Sequence, residues 1–269
     1  MSFNFNGSGK PVAVITGGKY DKKLISLDSD IKDIDQTSFK KLKISNDSKI
    51  APMVNTKTER EVLYITGCSG SGKSTFTRMY LEQYKKKYKN REIYMFSSLK
   101  EDKSLDSINP KRFIIDESLY LDPIKVDDLK ESAVIFDDID VISDKRIKEA
   151  VYNTLNQVLE IGRHHSVTVV VTNHLPTNGI WTRRILNESS IYVYFPASAG
   201  GKVKYLLTEY LDIDKKQIKY WKQCNSRWIM IGKNFPQYYI SERELGLLNI
   251  DSDNEEGKNK KQTIMIICI

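Results

Sequence analysis

Gly67-Cys68-Ser69-Gly70-Ser71-Gly72-Lys73-Ser74 has the spacing of a phosphate-binding loop: a glycine, four free positions, then Gly-Lys-Ser. The glycines let backbone N–H groups turn inward around phosphate oxygens. The lysine reaches the β- and γ-phosphates, and the hydroxyl reaches Mg²⁺. The flanks fit as well. Val62-Leu63-Tyr64-Ile65 reads as a buried strand, and Phe76, Tyr80 and Tyr84 recur at helical spacing, so a helix is expected from Gly72 to about Lys87 with its N-terminus at the phosphates. Gly67 through Thr75, with Cys68, Ser69, Gly70 and Ser71 between, then form a nucleotide cradle. In it Lys73 and Ser74 serve the phosphates and Mg²⁺, and Thr75 serves the helix start or the α-phosphate. Gly7-Ser8-Gly9-Lys10 only looks similar: it lacks the first glycine, and Pro11 follows the lysine.

Outward from the loop, short apolar runs alternate with helical patterns. Ile93–Phe96, Arg112–Ile115, Ala133–Phe136, Val167–Val171 and Ile191–Tyr194 read as strands. Ile147, Val151, Leu155, Val158 and Leu159 mark one face of a helix. Continuous apolar strands between helices predict an α/β fold with a mostly parallel sheet covered on both faces. Beyond residue 200 two helices and strands at 227–231 and 238–240 are expected. Residues 1–55 form an N-terminal segment packing on the core, in which Val12–Ile15 and Leu24–Leu27 are expected to pair at the edge of the core sheet. Residues 56–249 are the nucleotide-binding domain. Residues 250–269 form a polar, flexible tail with an apolar end, Ile264–Ile269.

Val134-Ile135-Phe136-Asp137-Asp138 supplies a second motif. A strand ending in two acids can bring Asp137 to the metal beside Ser74 and place Asp138 to polarise an attacking water. A rival pair, Ile114-Ile115-Asp116-Glu117, has a shorter apolar run behind it and ranks second. Asp140 reads as a loop or cap residue. Thr172-Asn173-His174 ends the next strand, and there Asn173 is the candidate γ-phosphate sensor. Arg163, in Gly162-Arg163-His164-His165, is the candidate arginine finger acting on a neighbouring subunit. Against that stands an arginine that merely complements the end of a helix. Arg183 and Arg184 are the alternative finger or a DNA contact. Lys215, Lys219 and Lys222 share a helical face beside Tyr220 and Trp221, a pattern that fits a solvated face better than a phosphate contact.

Lysine and arginine total 42 against 35 acids, giving +7 and a pI near 9.0. The surplus suits a polyanionic partner without naming one. The cysteines Cys68, Cys224 and Cys268 have no metal-like spacing, and Cys68 lies inside the loop, so a reducing, intracellular setting is expected. No signal peptide and no membrane span are expected.

Together, the phosphate loop, the acid-pair strand, an intervening strand and a polar strand tip resemble the RecA-like (ASCE) division of P-loop NTPases. The run Gly162–His174 resembles the poxvirus-type and giant-virus DNA-packaging ATPases of the FtsK–HerA superfamily, from about Val62 to Tyr194 and more loosely to Leu248. The resemblance implies an ATP-hydrolysing motor with ATP and Mg²⁺ as cofactors, acting on double-stranded DNA. It also implies a homo-oligomeric ring, a viral capsid or portal-like partner, and a host-cell cytoplasm, virus-factory or virion location. Asp138 stands where that superfamily more often has Glu. A small-molecule kinase or another AAA/RecA-like ATPase or loader is the alternative. A GTPase is disfavoured, because Thr172-Asn173-His174-Leu175 supplies no guanine-reading N-K-x-D signature.

Overall fold

The computed structural model describes residues 1–29, 38–55, 60–248 and 264–267, the last as backbone alone. In chain order the strands are β1 (Ser2–Asn4), β2 (Lys10–Thr16), β3 (Leu24–Asp28), β4 (Ser38–Phe39), β5 (Lys41–Ile44), β6 (Lys49–Pro52), β7 (Val62–Thr66), β8 (Ile93–Ser97), β9 (Lys111–Ile114), β10 (Ala133–Phe136), β11 (Thr168–Asn173), β12 (Ile191–Tyr194), β13 (Ile229–Gly232), β14 (Tyr238–Ser241), β15 (Glu244–Leu247) and β16 (Ile264–Ile267). The helices are α1 (Lys73–Lys87), α2 (Ser118–Leu121), α3 (Lys145–Ile161), α4 (Ile180–Glu188), α5 (Gly201–Glu209) and α6 (Lys215–Gln223).

The central sheet runs β16-β5-β15-β14-β13-β12-β7-β11-β10-β8-β9. Its block from β12 to β9 is parallel throughout. β13, β14, β15 and β5 extend it in antiparallel fashion. The parallel block is the predicted α/β fold, and its strands β12, β7, β11 and β10 are buried on both sides because both faces are covered, while the edge strand β9 carries Lys111 and Arg112. Side chains alternate between the faces. Leu63, Ile65, Ile135 and Val170 pack with Phe76, Tyr80, Leu81 and Tyr84 of α1. Tyr64, Val134, Phe136, Val169 and Val171 pack on the opposite face with α3, α4, α5 and α6.

The N-terminal segment differs from the expected edge pairing. β2 and β3 pair with each other in a separate antiparallel sheet, β4-β1-β3-β2-β6. It is β5 that joins the central sheet. The cause lies in the connections. Reversals around positive-φ Gly7, Gly9, Gly17 and Gly18 fold the first strands back on themselves before any could reach the core edge. The two sheets still share one apolar cluster, in which Phe3, Val12, Ile15, Ile25 and Phe39 meet Phe76, Tyr80 and Trp228. Ile50 N–H also donates to the Glu242 carbonyl at 2.9 Å. The predicted flexible tail at 251–262 lies outside the described residues. The apolar end contributes β16, which runs parallel to β5. No described helix is long and apolar enough to cross a membrane.

Candidate nucleotide site

β11 lies between β7 and β10, so the loop strand and the acid-pair strand are separated by one inserted strand. The register sets Asn173 beside Thr66 and Val171 beside Phe136, bringing all three strand ends to one level. The loop rises from β7 and turns with φ of +75° at Gly70 and +110° at Gly72, a region that L side chains avoid. α1 begins directly after Gly72. No side chain caps it and its first turn carries no acid, which leaves its N–H groups to face an anion. Ser71 Oγ is buried and has no hydrogen-bond partner among the described residues. This cradle has the donor set and the unspent donors that a polyphosphate requires.

Lys73 is almost fully buried. Its Nζ donates to the Gly67 carbonyl at 3.0 Å and stands 3.3 Å from Asp138 Oδ1. Asp137 Oδ1 accepts from the Thr172 hydroxyl at 2.9 Å, and Oδ2 accepts from Ser97 at 3.2 Å. Burial, and after it the neighbouring Asp138 charge, push the Asp137 carboxyl above the usual range. A desolvated carboxylate beside a second acid calls for a cation, and these carboxylate oxygens are hard donors of the kind that suit Mg²⁺.

Asp138 takes a left-handed backbone, φ 47° and ψ 40°. Its N–H donates to Thr172 Oγ1 at 2.9 Å, and its Oδ2 lies 3.0 Å from His174 Nε2. Thr172 therefore ties both acids to β11: it accepts from the backbone of one and donates to the carboxylate of the other. Asp140 is a loop anchor, as its position suggested. Its carboxylate accepts the N–H groups of His174 at 3.0 Å and Leu175 at 2.9 Å, which fixes the turn that carries His174. Thr172 and His174 are the parts that sequence reasoning passed over.

Asn173 takes the other direction. It is fully buried, on the face opposite Thr172, and its amide donates to the Tyr64 hydroxyl at 3.1 Å. The expected sensor amide is in this structure a core group, because alternation along β11 sends residue 172 toward α1 and residue 173 away from it. Arg163 is exposed in the loop that enters β11, at the end of the sheet where the parallel strands start. A strand of this length separates it from the phosphate loop by about 17–20 Å. There it cannot serve its own chain's loop, and a finger role would act on a neighbour. Arg184 is held by Glu160, whereas Arg183 is exposed on the first turn of α4 and has no ion pair with a described residue. The rival pair separates cleanly. Asp116 is exposed at the sheet's far edge, where β9 ends, and it accepts from Ser118 N–H at 2.9 Å and Ser118 Oγ at 2.6 Å. Trp221 of the lysine-bearing helix is wholly in the core, and Tyr220 bonds Glu244, so no aromatic interleaves those lysines on the surface.

No family model matches this chain. A curated relative does: uncharacterised protein V3 of Sputnik virophage is 37% identical over 248 residues, spanning 90% of this chain and 97% of that protein. The chain belongs to the V3 family. Among solved structures, the V3-family chain resembles the genome-packaging NTPase B204 of Sulfolobus turreted icosahedral virus 2, seen with AMPPCP. The TM-score is 0.47 at 11% identity, over 69% of this chain and 98% of that one. It also resembles the cytoplasmic domain of the type VII secretion ATPase EccC of Thermomonospora curvata, with a TM-score of 0.51 at 10% identity, over 75% of this chain and 28% of that one. At such identity the EccC likeness shows the fold alone, and that fold is the P-loop ATPase architecture expected from the motifs.

Proposed function

We propose that this V3-family protein is an ATP-hydrolysing motor that moves double-stranded DNA, working as a homo-oligomeric ring to package a viral genome into its capsid. The observation that carries the reading is the inserted strand β11. Its position between β7 and β10 supports a site in which Lys73, Asp137 and Asp138 converge where the strands end. In the proposed cycle Gly67–Thr75 cradle the ATP phosphates, and Ser74 and Asp137 would hold Mg²⁺, which would supply charge neutralisation on the phosphates. Lys73 exchanges its contact with Asp138 for the β- and γ-phosphates. Asp138, freed from the lysine but still held by Thr172 and His174, orients the attacking water and accepts its proton. The step toward DNA is supported by the net charge of +7, by the virophage source of V3, and by the motif resemblance to packaging ATPases. Arg163, on the edge away from its own loop, is the candidate finger for the next subunit. A kinase would need an arginine lid, and of the thin candidate Arg183-Arg184 one member, Arg184, is engaged by Glu160, which leaves Arg183.

Phosphate release by the assembled oligomer, measured with and without duplex DNA, tests this reading. Stimulation by the duplex is expected. A rate indifferent to DNA would overturn the translocase, and transfer of phosphate to a nucleoside instead of water would favour a kinase.

A further inference from the structure

A cleft of about 120 Å³ opens against the first turn of α1. One wall is Ser71, Gly72 and Thr75 of the phosphate loop and helix. The floor is apolar, with Ile50 of β6 and the buried indole of Trp228, which meets Phe76 edge-on at 5.0 Å. The rim is polar and comes from parts of the chain distant in sequence: Thr16 at the end of β2, Arg227 before β13, and Glu242 after β14. Glu242 is nearly buried. Its Oε1 accepts from the Arg227 guanidinium at 3.1 Å and its Oε2 from the Arg227 N–H at 2.8 Å. Arg227 itself is largely exposed. Here an apolar slot about one aromatic ring system in size faces a donor and an acceptor side by side.

We propose that this cleft seats the nucleobase of the bound nucleotide, and that the Arg227–Glu242 pair determines which base is accepted. The proposal rests on the nucleotide reading of Gly67–Thr75. If Lys73 takes the β- and γ-phosphates, the α-phosphate and ribose leave the loop on the Thr75 side, and this cleft begins at Thr75. A flat ring there packs against Ile50 and Trp228, so that its own apolar faces leave water. Its edge meets the Arg227–Glu242 pair. A carboxylate acceptor favours a base with an exocyclic amine, and an adjacent guanidinium donor suits the ring nitrogen beside that amine, which is the edge adenine presents. The N-terminal sheet then completes the nucleotide site within the same chain. Two of the cleft's walls belong to elements outside the parallel block, β2 with β6 and the β13–β14 hairpin, so an occupied cleft couples base binding to both.

Titration calorimetry of the full chain with Mg²⁺ and ATP, ITP or inorganic tripolyphosphate tests the assignment, using wild type, Thr16→Trp and Glu242→Gln. Thr16 is exposed, so the tryptophan can fill the cleft from its rim without entering the core. The expected result is at least a tenfold loss of ATP affinity in Thr16→Trp with tripolyphosphate affinity unchanged, and a narrowed preference for ATP over ITP in Glu242→Gln. Wild-type ATP affinity in Thr16→Trp would overturn the base assignment. So would an equal loss for tripolyphosphate, which would put the cleft on the phosphate path. Wild-type protein that binds neither ATP nor tripolyphosphate would overturn the phosphate-loop reading itself, and the base assignment with it.

Discussion

The two ends of the central sheet each bury a carboxylate, and the two sit in different surroundings. Glu61, where β7 begins, is 9% exposed, and Asp137, where β10 ends, is 8% exposed. Burial raises the proton affinity of both. Glu61 accepts from two neutral donors, Tyr80 Oη at 2.6 Å and Asn55 N–H at 3.1 Å, both on Oε2, and the charges of Lys10 and Lys87 act on it in the direction that partly offsets its burial. It is a closed structural knot that ties α1 to the chain entering β7. Asp137 has comparable donors in Thr172 and Ser97, but also the like charge of Asp138 and the uncapped helix of the phosphate loop nearby. Burial and a shifted pKa therefore do not separate structure from chemistry here. What separates them is a second acid and an open set of donors at the same end of the sheet.

The sharpest way to break the comparison is to strip the site end of its cation. Lys73→Ala should lower ATP hydrolysis by about 10³-fold or more, read as phosphate release, because the transferring phosphates lose their only lysine within the loop. Thr172→Val should follow. It keeps the shape but removes the group that holds both acids, and a drop in kcat of about 10–100-fold is expected, with Thr172→Ser restoring most of it. Asn173→Ala should behave as a core mutation. Its kcat should stay within about threefold of wild type while stability falls by about 1–2 kcal/mol in denaturant titration, since the amide's partner is Tyr64. A collapse of kcat without loss of stability would return Asn173 to the site.

Glu61→Gln tests the structural end and should have the smallest effect. The glutamine carbonyl can keep both donors that Oε2 now accepts. Because the folded Glu61 pKa is raised, its favourable contribution is fully present below the ordinary glutamate value and is lost as pH rises through the folded value. The variant should therefore melt a few degrees above wild type at neutral and alkaline pH, by about 2–4 °C for each kcal/mol, with the gap closing in acid. Its hydrolysis rate should be unchanged.

The inner strands of the parallel block, β7, β11, β10 and β8, were legible in the sequence because each is an apolar run, and the phosphate loop and the acid pair sit at strand ends. The loop, α1 and the inserted strand follow from that pattern. The choice between Thr172 and Asn173 was not legible. In Val169-Val170-Val171 both faces are apolar, so periodicity cannot say which side meets α1, and only the register with β7 and β10 decides it. The separate N-terminal sheet was hidden for a related reason. Val12–Ile15 reads as a strand in any setting, and which strands it pairs with is decided by tertiary contacts. β5 and β15 went unread because Lys41-Leu42-Lys43-Ile44 and Glu244-Leu245-Gly246-Leu247 place charges in strands. Glu244 is nonetheless buried, accepting from the hydroxyls of Tyr220 and Tyr239. α4 escaped notice because only Thr182, Ile185 and Leu186 of its residues reach the core.

In the proposed cycle Asp138, presented by the turn after β10 and held by Thr172 and His174, activates the water that attacks ATP. Single-turnover ATP hydrolysis with Mg²⁺ in wild type and Asp138→Asn, with ATP affinity measured alongside, tests this role directly. ATP affinity close to wild type and hydrolysis slowed by about 10²–10⁴-fold are expected. Hydrolysis at the wild-type rate in Asp138→Asn would contradict it.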